Sequence, residues 1–159
     1  MTDPATLPEL LRETLREVLY GPGGGPLRSG LFSEGEAGLL RTVHALTFVQ
    51  ATAPVAPGRP TPAQYTAHVR ETLEFTALQL ADPHALLPQG GDVWTFHPAH
   101  LQAWRAELVA LARAGQSLYD ALYLPLSPEG QRLALGGVTH AAYHTGALRF
   151  HLGNLQGGS

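Results

Sequence analysis

The stretch His140-Ala141-Ala142-Tyr143-His144-Thr145-Gly146-Ala147-Leu148-Arg149 decides how this chain is read. Two residues four apart on an α-helix lie about 40° apart around the axis and roughly one turn along it. The imidazoles of His140 and His144 can therefore converge on one metal ion, as in the helical His-x-x-x-His pair of zinc enzymes. A helical wheel puts Leu133, Gly136, Gly137, Ala147 and Leu148 on the stripe that carries both histidines, with Thr139, Thr145 and Arg149 away from it. That pattern predicts an inward-facing pair with small neighbours, leaving room for an ion and something bound to it. With eight histidines in 159 residues, such a pair also arises by chance, so the motif alone is weak.

Composition narrows the classes. A length of 159 residues suits a single domain with a core that needs no staples. Apolar residues at 44% indicate a globular protein, and charged residues at 14% are few. All ten basic residues are arginine, and the net charge of −3 offers no basic face, so no nucleic-acid partner is expected. Cysteine is absent, which excludes a disulfide scaffold, a thiolate metal site and a cysteine nucleophile. Any thiol chemistry would need a thiol from a second molecule. The N-terminus has neither the basic region nor the apolar run of a signal peptide, and no stretch reads as long enough to span a bilayer, so a cytoplasmic location and no membrane partner are expected.

Working outward, apolar periodicity predicts only helices. The first covers 4–20, with Leu7, Leu10, Leu11, Leu15, Val18 and Leu19 on one stripe and Thr6-x-x-Glu9 as a capping box. A Gly/Pro-rich connector, 21–33, ends it; no Lys-Ser/Thr follows its glycines, so it is not read as a phosphate loop. A second helix is expected over 34–50, capped by Ser33-x-x-Glu36, with His44 at the edge of its apolar stripe. The third has the strongest start, Thr61 as N-cap, Pro62 at the first position and Gln64 three on, and should end near Asp82. One face carries Tyr65, His68, Val69, Thr72, Phe75 and Thr76; Arg70, Glu74 and Ala77 lie opposite. His68 on that face is a polar group needing a partner, which a hydrogen bond or a metal would supply. A long connection, 83–97, contains Trp94, read either as cover for a cavity or as a hydrophobic plug. The fourth helix, 98–122, opens with Pro98 and carries a plain core stripe of Leu101, Trp104, Leu108, Leu111, Leu118 and Leu122, with Gly115 as a weak point. Ser127-Pro128 opens the last helix, expected to end near Gly153 and to leave a flexible tail, 154–159. The fold class read from this pattern is all-α, a bundle of long helices.

With Thr61-Pro62-Ala63-Gln64-Tyr65-Thr66-Ala67-His68-Val69-Arg70 set beside Gly137 to Arg149, the chain resembles the DinB-like superfamily, the DNA-damage-inducible and YfiT-like metalloenzymes, over roughly 36–150. The pattern is one histidine on an early bundle helix, then His-x-x-x-His followed by Gly on the last, with a tryptophan before the fourth helix. The resemblance implies an up-down-down-up four-helix bundle, here with an extra or split N-terminal helix. It implies His68, His140 and His144 as ligands of one divalent metal, and thiol-dependent S-transferase or isomerase-like activity on a small molecule. The thiol would be a low-molecular-weight cosubstrate, and the DNA-damage name implies no DNA contact.

Three neutral histidines leave metal positions open, the mark of a catalytic site, and zinc or nickel suits them. Metalloprotease chemistry fits less well, because the position that carries the general-base Glu in that motif is Ala141 here. Glu71, near His68, is read either as a base or supporting carboxylate, or as a solvated edge residue. His97, His100 and His151 are expected to be uninvolved, His151 because it lies roughly 10 Å beyond His144 along the axis. The competing readings are a non-catalytic metal- or ligand-binding bundle and a metal-dependent hydrolase; a homodimer is compatible with each.

Overall fold

The computed structural model describes residues 5–23, 29–88 and 91–157. Residues 24–28 of the Gly/Pro connector, the first residue of the expected 4–20 helix and the last two residues of the expected tail lie outside the described residues. Among the described residues there are six α-helices, one 3-10 turn and no strand beyond an isolated bridge between Ser29 and Glu34. No described helix is long and apolar enough to cross a membrane.

α1 (Leu7–Tyr20) starts where its cap predicts: the Glu9 carboxylate reaches back to the Thr6 N–H at 2.6 Å and hydroxyl at 2.8 Å. Its buried face is Leu11, Leu15, Val18 and Leu19; Leu7 and Leu10 stay exposed at the open end. The expected 34–50 helix is instead two short ones, α2 (Leu39–His44) and α3 (Phe48–Thr52). Ser33 does not cap them. Its N–H and hydroxyl both go to the buried carboxylate of Glu17, at 2.8 and 2.6 Å, and Glu17 also accepts the N–H groups of Leu31 and Phe32 at 2.7 and 3.1 Å. Burial pushes the Glu17 pKa up, but the hydrogen bonds from Ser33, Leu31 and Phe32 outweigh it and leave it lowered. The break after α2 has a local cause. Thr47 and Gln50 form a reciprocal box, with N–H to Oε1 at 3.0 Å and N–H to Oγ1 at 3.2 Å, which starts a new helix there.

α4 (Pro62–Ala81) has the predicted boundaries and the predicted Thr61–Gln64 box. It does not have one polar face. Ala77 is buried, and Arg70 bridges Glu74 at 2.7 Å and the buried Glu107 at 2.5 Å. The reason is position: α4 packs against two helices at once, α5 (Leu101–Ala121) and α6 (Pro128–Gly157). α5 begins at Leu101, not Pro98; the His100 ring takes the Ala103 N–H at 3.2 Å as an N-cap. Leu101 is exposed, while Trp104, Leu108, Leu111, Leu118 and Leu122 are buried as expected. Gly115 is a close approach: a Cβ there would lie 2.8 Å from Leu19 Cδ1 of α1. α6 runs past Gly153 to Gly157, so most of the expected tail is helix.

Contacts fix the helix directions. His68 meets His140, Thr76 meets Gly137 and Leu80 meets Gly130, so α4 and α6 are antiparallel. Arg70 pairs with Glu107, and Ala77 and Ala81 share a groove with Ser117 and Ala121, so α4 and α5 are parallel, joined by the long 82–100 connection. Arg12 donates to the Leu122 carbonyl at 2.9 Å while Leu19 meets Gly115, which makes α1 antiparallel to α5.

Candidate metal centre

The buried face of α6 is Ala134, Gly137, Val138, Ala141, His144, Thr145 and Leu148. It is centred near Ala141 and Leu148, about 90° around the helix from His140. The stripe drawn from the histidine pair is therefore shifted: Gly136 and Ala147 are exposed, and Thr145 is buried, its hydroxyl bonded to the Ala141 carbonyl at 2.8 Å. His140 stands at the rim of the core with the buried His144 one turn further along, both on the side that meets His68 of α4. A rim position shields the rings partly from water and still leaves them reachable, which suits a reactive site better than the core centre would.

α4 brings His68 to the same place. Gly137 makes this feasible, since a Cβ at that position would lie 2.7 Å from Thr76 Oγ1 and 3.2 Å from Thr76 Cβ, so only glycine lets the two helices close to this separation. His68, His140 and His144 then form one group whose ligand atoms all lie within 4.8 Å of one another. The Nε2 atoms of His68 and His140 are 2.9 Å apart. Ring centroids are separated by 4.8 Å for 68 and 140, 5.0 Å for 68 and 144, and 4.6 Å for 140 and 144, each pair steeply inclined. At a Zn–N length of about 2.0–2.1 Å, neighbouring nitrogens of a tetrahedral site are about 3.3 Å apart. The three histidines are thus close enough together that they could hold one metal ion.

The electrostatics favour the ligand form. Burial lowers the His144 pKa to about 4, and His140 and His68 push the same way. Burial followed by His140 lowers that of His68, and burial lowers that of His140. Neutral imidazole, which offers a lone pair, is thus the resting form at neutral pH. No cysteine, aspartate or glutamate among the described residues joins the group.

No family model, curated protein or solved structure matches this chain.

Aromatic rings surround the triad. Trp94, on the 3-10 turn Val93–Thr95, lies over His68 with centroids 4.7 Å apart and planes at 35°. Trp94 remains 40% exposed as a residue, so it covers the histidine from the solvent side and is not a plug in the core. Asp92 caps the turn itself by accepting the Trp94 N–H at 3.0 Å, and the Gln64 carboxamide ties the turn to α4 by donating to the Trp94 carbonyl. Gln64 thus both caps α4 and tethers the cover. Tyr65 stacks obliquely on His144 at 5.6 Å and meets Trp94 edge-on at 5.8 Å; Tyr143 approaches His144 at 5.2 Å. Sequence reading did not assign Tyr65 or Gln64 to the site. Tyr65 lies three residues before His68, a spacing that puts both on one helix face.

The remaining candidates lie elsewhere. Glu71 is half-buried and lines a cavity between α4 and Pro88 with residues 91–96, outside the histidine group. His44, His84 and His97 are exposed, and His100 caps α5. His151 is half-buried in a separate cavity further along α6. Gly146 is exposed with nothing within 4 Å of an added Cβ.

Proposed function

We propose that His68, His140 and His144 hold one divalent ion, zinc or nickel, and that the protein is a thiol-dependent S-transferase or isomerase-like enzyme acting on a small molecule. The observation that carries the proposal is the clustering of three neutral imidazoles from α4 and α6, with no acidic or thiolate ligand beside them among the described residues. A divalent ion on such a set keeps coordination positions open and acidifies a water or thiol brought to it. Two features favour the thiol. The chain has no cysteine of its own, so a cosubstrate supplies the sulfur. Ala141 stands where helical zinc proteases carry their general base, which argues against the hydrolase reading.

The chain's own residues do the positioning. Gly137 sets the distance between α4 and α6, Trp94 keeps bulk water off one side of His68, and Tyr65 walls the site beside His144. The helix directions, with α1 and α6 running one way and α4 and α5 the other, correspond to the up-down-down-up order of a DinB-like four-helix bundle and support that assignment. In the transfer, sulfur bonds to an electrophilic carbon, the leaving group departs with its electron pair, and the thiol proton passes to water.

The test is direct. Protein loaded with zinc or nickel is incubated with a low-molecular-weight thiol and an electrophilic haloarene, and thioether is measured by mass spectrometry. The expected result is metal-dependent product that His140→Ala abolishes. Stoichiometric metal with no product above the buffer blank favours the non-catalytic binding module.

A further inference from the structure

Beyond His144, toward the C-terminus of α6, a cavity of about 220 Å³ opens between α4, α6 and the segment leading into α4. Val55, Tyr65, Ala147 and Leu148 form its walls, and Phe150 flanks it. Its polar corner is His151 and Asn154, one turn apart on α6. Tyr65 belongs to both places, since it lines this cavity and its ring lies 5.6 Å from that of His144. The cavity is therefore one side chain away from the histidine group.

We infer that this cavity receives the non-reacting end of the substrate, and that this end is a neutral six-membered ring bearing a hydroxyl, of the phenol class. The link to catalysis rests on the metal-site proposal; the binding itself requires no ion.

Size, wall chemistry and charge each contribute. A benzene molecule fills a sealed cavity of about 150 Å³, so this pocket of about 220 Å³, open to solvent on the Phe150 side, has room for one ring with a substituent. Tyr65 and Phe150 offer aromatic surfaces against which a ring packs offset or edge-on. An imidazole and a carboxamide can each donate or accept, so His151 and Asn154 can meet a hydroxyl in both senses. A carboxylate suits the corner poorly. No arginine is among the residues that line it. Arg149 cannot offset this, because it projects about 160° around the helix from His151.

The test is an amide-resolved NMR titration of the full chain with phenol and with benzoate, each without and with one equivalent of zinc. Phenol should shift the Ala147, Phe150 and His151 signals saturably in both conditions, with benzoate at least about tenfold weaker. Ala147→Trp, at an exposed helix position on the cavity wall, should abolish the phenol shifts and keep zinc uptake. His151→Ala, which leaves the walls intact, should weaken phenol about tenfold and decides the matter if the tryptophan variant misfolds. Non-saturating shifts, shifts scattered over the surface, equal binding of benzoate, or undiminished phenol binding by both variants would overturn the inference. Saturable phenol binding without zinc uptake supports the cavity and removes the metal proposal; zinc uptake without phenol binding does the reverse.

Discussion

Thr76 and Gly137 meet so closely that a single added methyl at Gly137 would lie 2.7 Å from the threonine oxygen and 2.9 Å from its methyl group. Thr76 is two turns from His68 on α4, and Gly137 is less than one turn from His140 on α6. The contact therefore sets the gap across which the histidines face one another. Gly137→Ala gains up to about 1 kcal/mol of helix propensity but meets an overpacking cost of about 1–3 kcal/mol. A net loss of stability is expected in urea denaturation, together with at least a tenfold loss of zinc affinity by calorimetry. Adding Thr76→Ala should restore part of both, since it removes the two nearest atoms.

Gly146 is the control. It has open space around it and no positive φ, so Gly146→Ala should raise stability by about 0.5–1 kcal/mol and leave zinc affinity unchanged. A drop in affinity there would mean that the glycine after the second histidine has a role that its surroundings do not reveal.

Glu17 makes a pH prediction. Its folded-state pKa is depressed, so its contribution to stability is fully present above the ordinary glutamate value and is lost as pH falls through the folded value. Glu17→Gln replaces one acceptor oxygen by a donor that faces the N–H groups of residues 31–33. The variant should be less stable by about 1.5–3 kcal/mol at pH 7, and the gap to the parent should narrow below about pH 4. Parallel stability curves from pH 7 to pH 3 would show that the carboxylate does not hold the loop.

The two tryptophans separate optically. Trp94 lies over His68, whereas Trp104 is buried in the core of α5. Nickel binding should quench part of the emission, and Trp94→Phe should remove that response while the Trp104 signal persists. Quenching that survives in Trp94→Phe would place the ion away from His68.

What was legible in the sequence was local. The Thr61-Pro62-x-Gln64 start of α4 needs only neighbouring residues, and the His140–His144 pair needs only one helical turn. Thr47-x-x-Gln50 carries the same box as Thr61-x-x-Gln64, but the apolar rhythm from Leu39 to Leu46 obscured it, and one helix was expected where two form. Ser33-x-x-Glu36 misled for the opposite reason: its serine is taken by Glu17, sixteen residues earlier. Long-range packing accounts for the rest. That α4 buries two faces, that the core of α6 centres on Ala141 and not on the histidines, and that Trp94 covers His68 all depend on where other helices lie.

The central claim is tested most directly by zinc content after equilibrium dialysis, measured on the parent chain, His144→Ala and His151→Ala, with circular dichroism to verify folding. The account predicts one zinc per parent chain, nitrogen or oxygen neighbours at about 2.0–2.1 Å by X-ray absorption, one zinc per chain in His151→Ala and none in His144→Ala. A folded parent chain that retains no stoichiometric zinc or nickel, or a His144→Ala chain that binds as tightly as the parent, would contradict it.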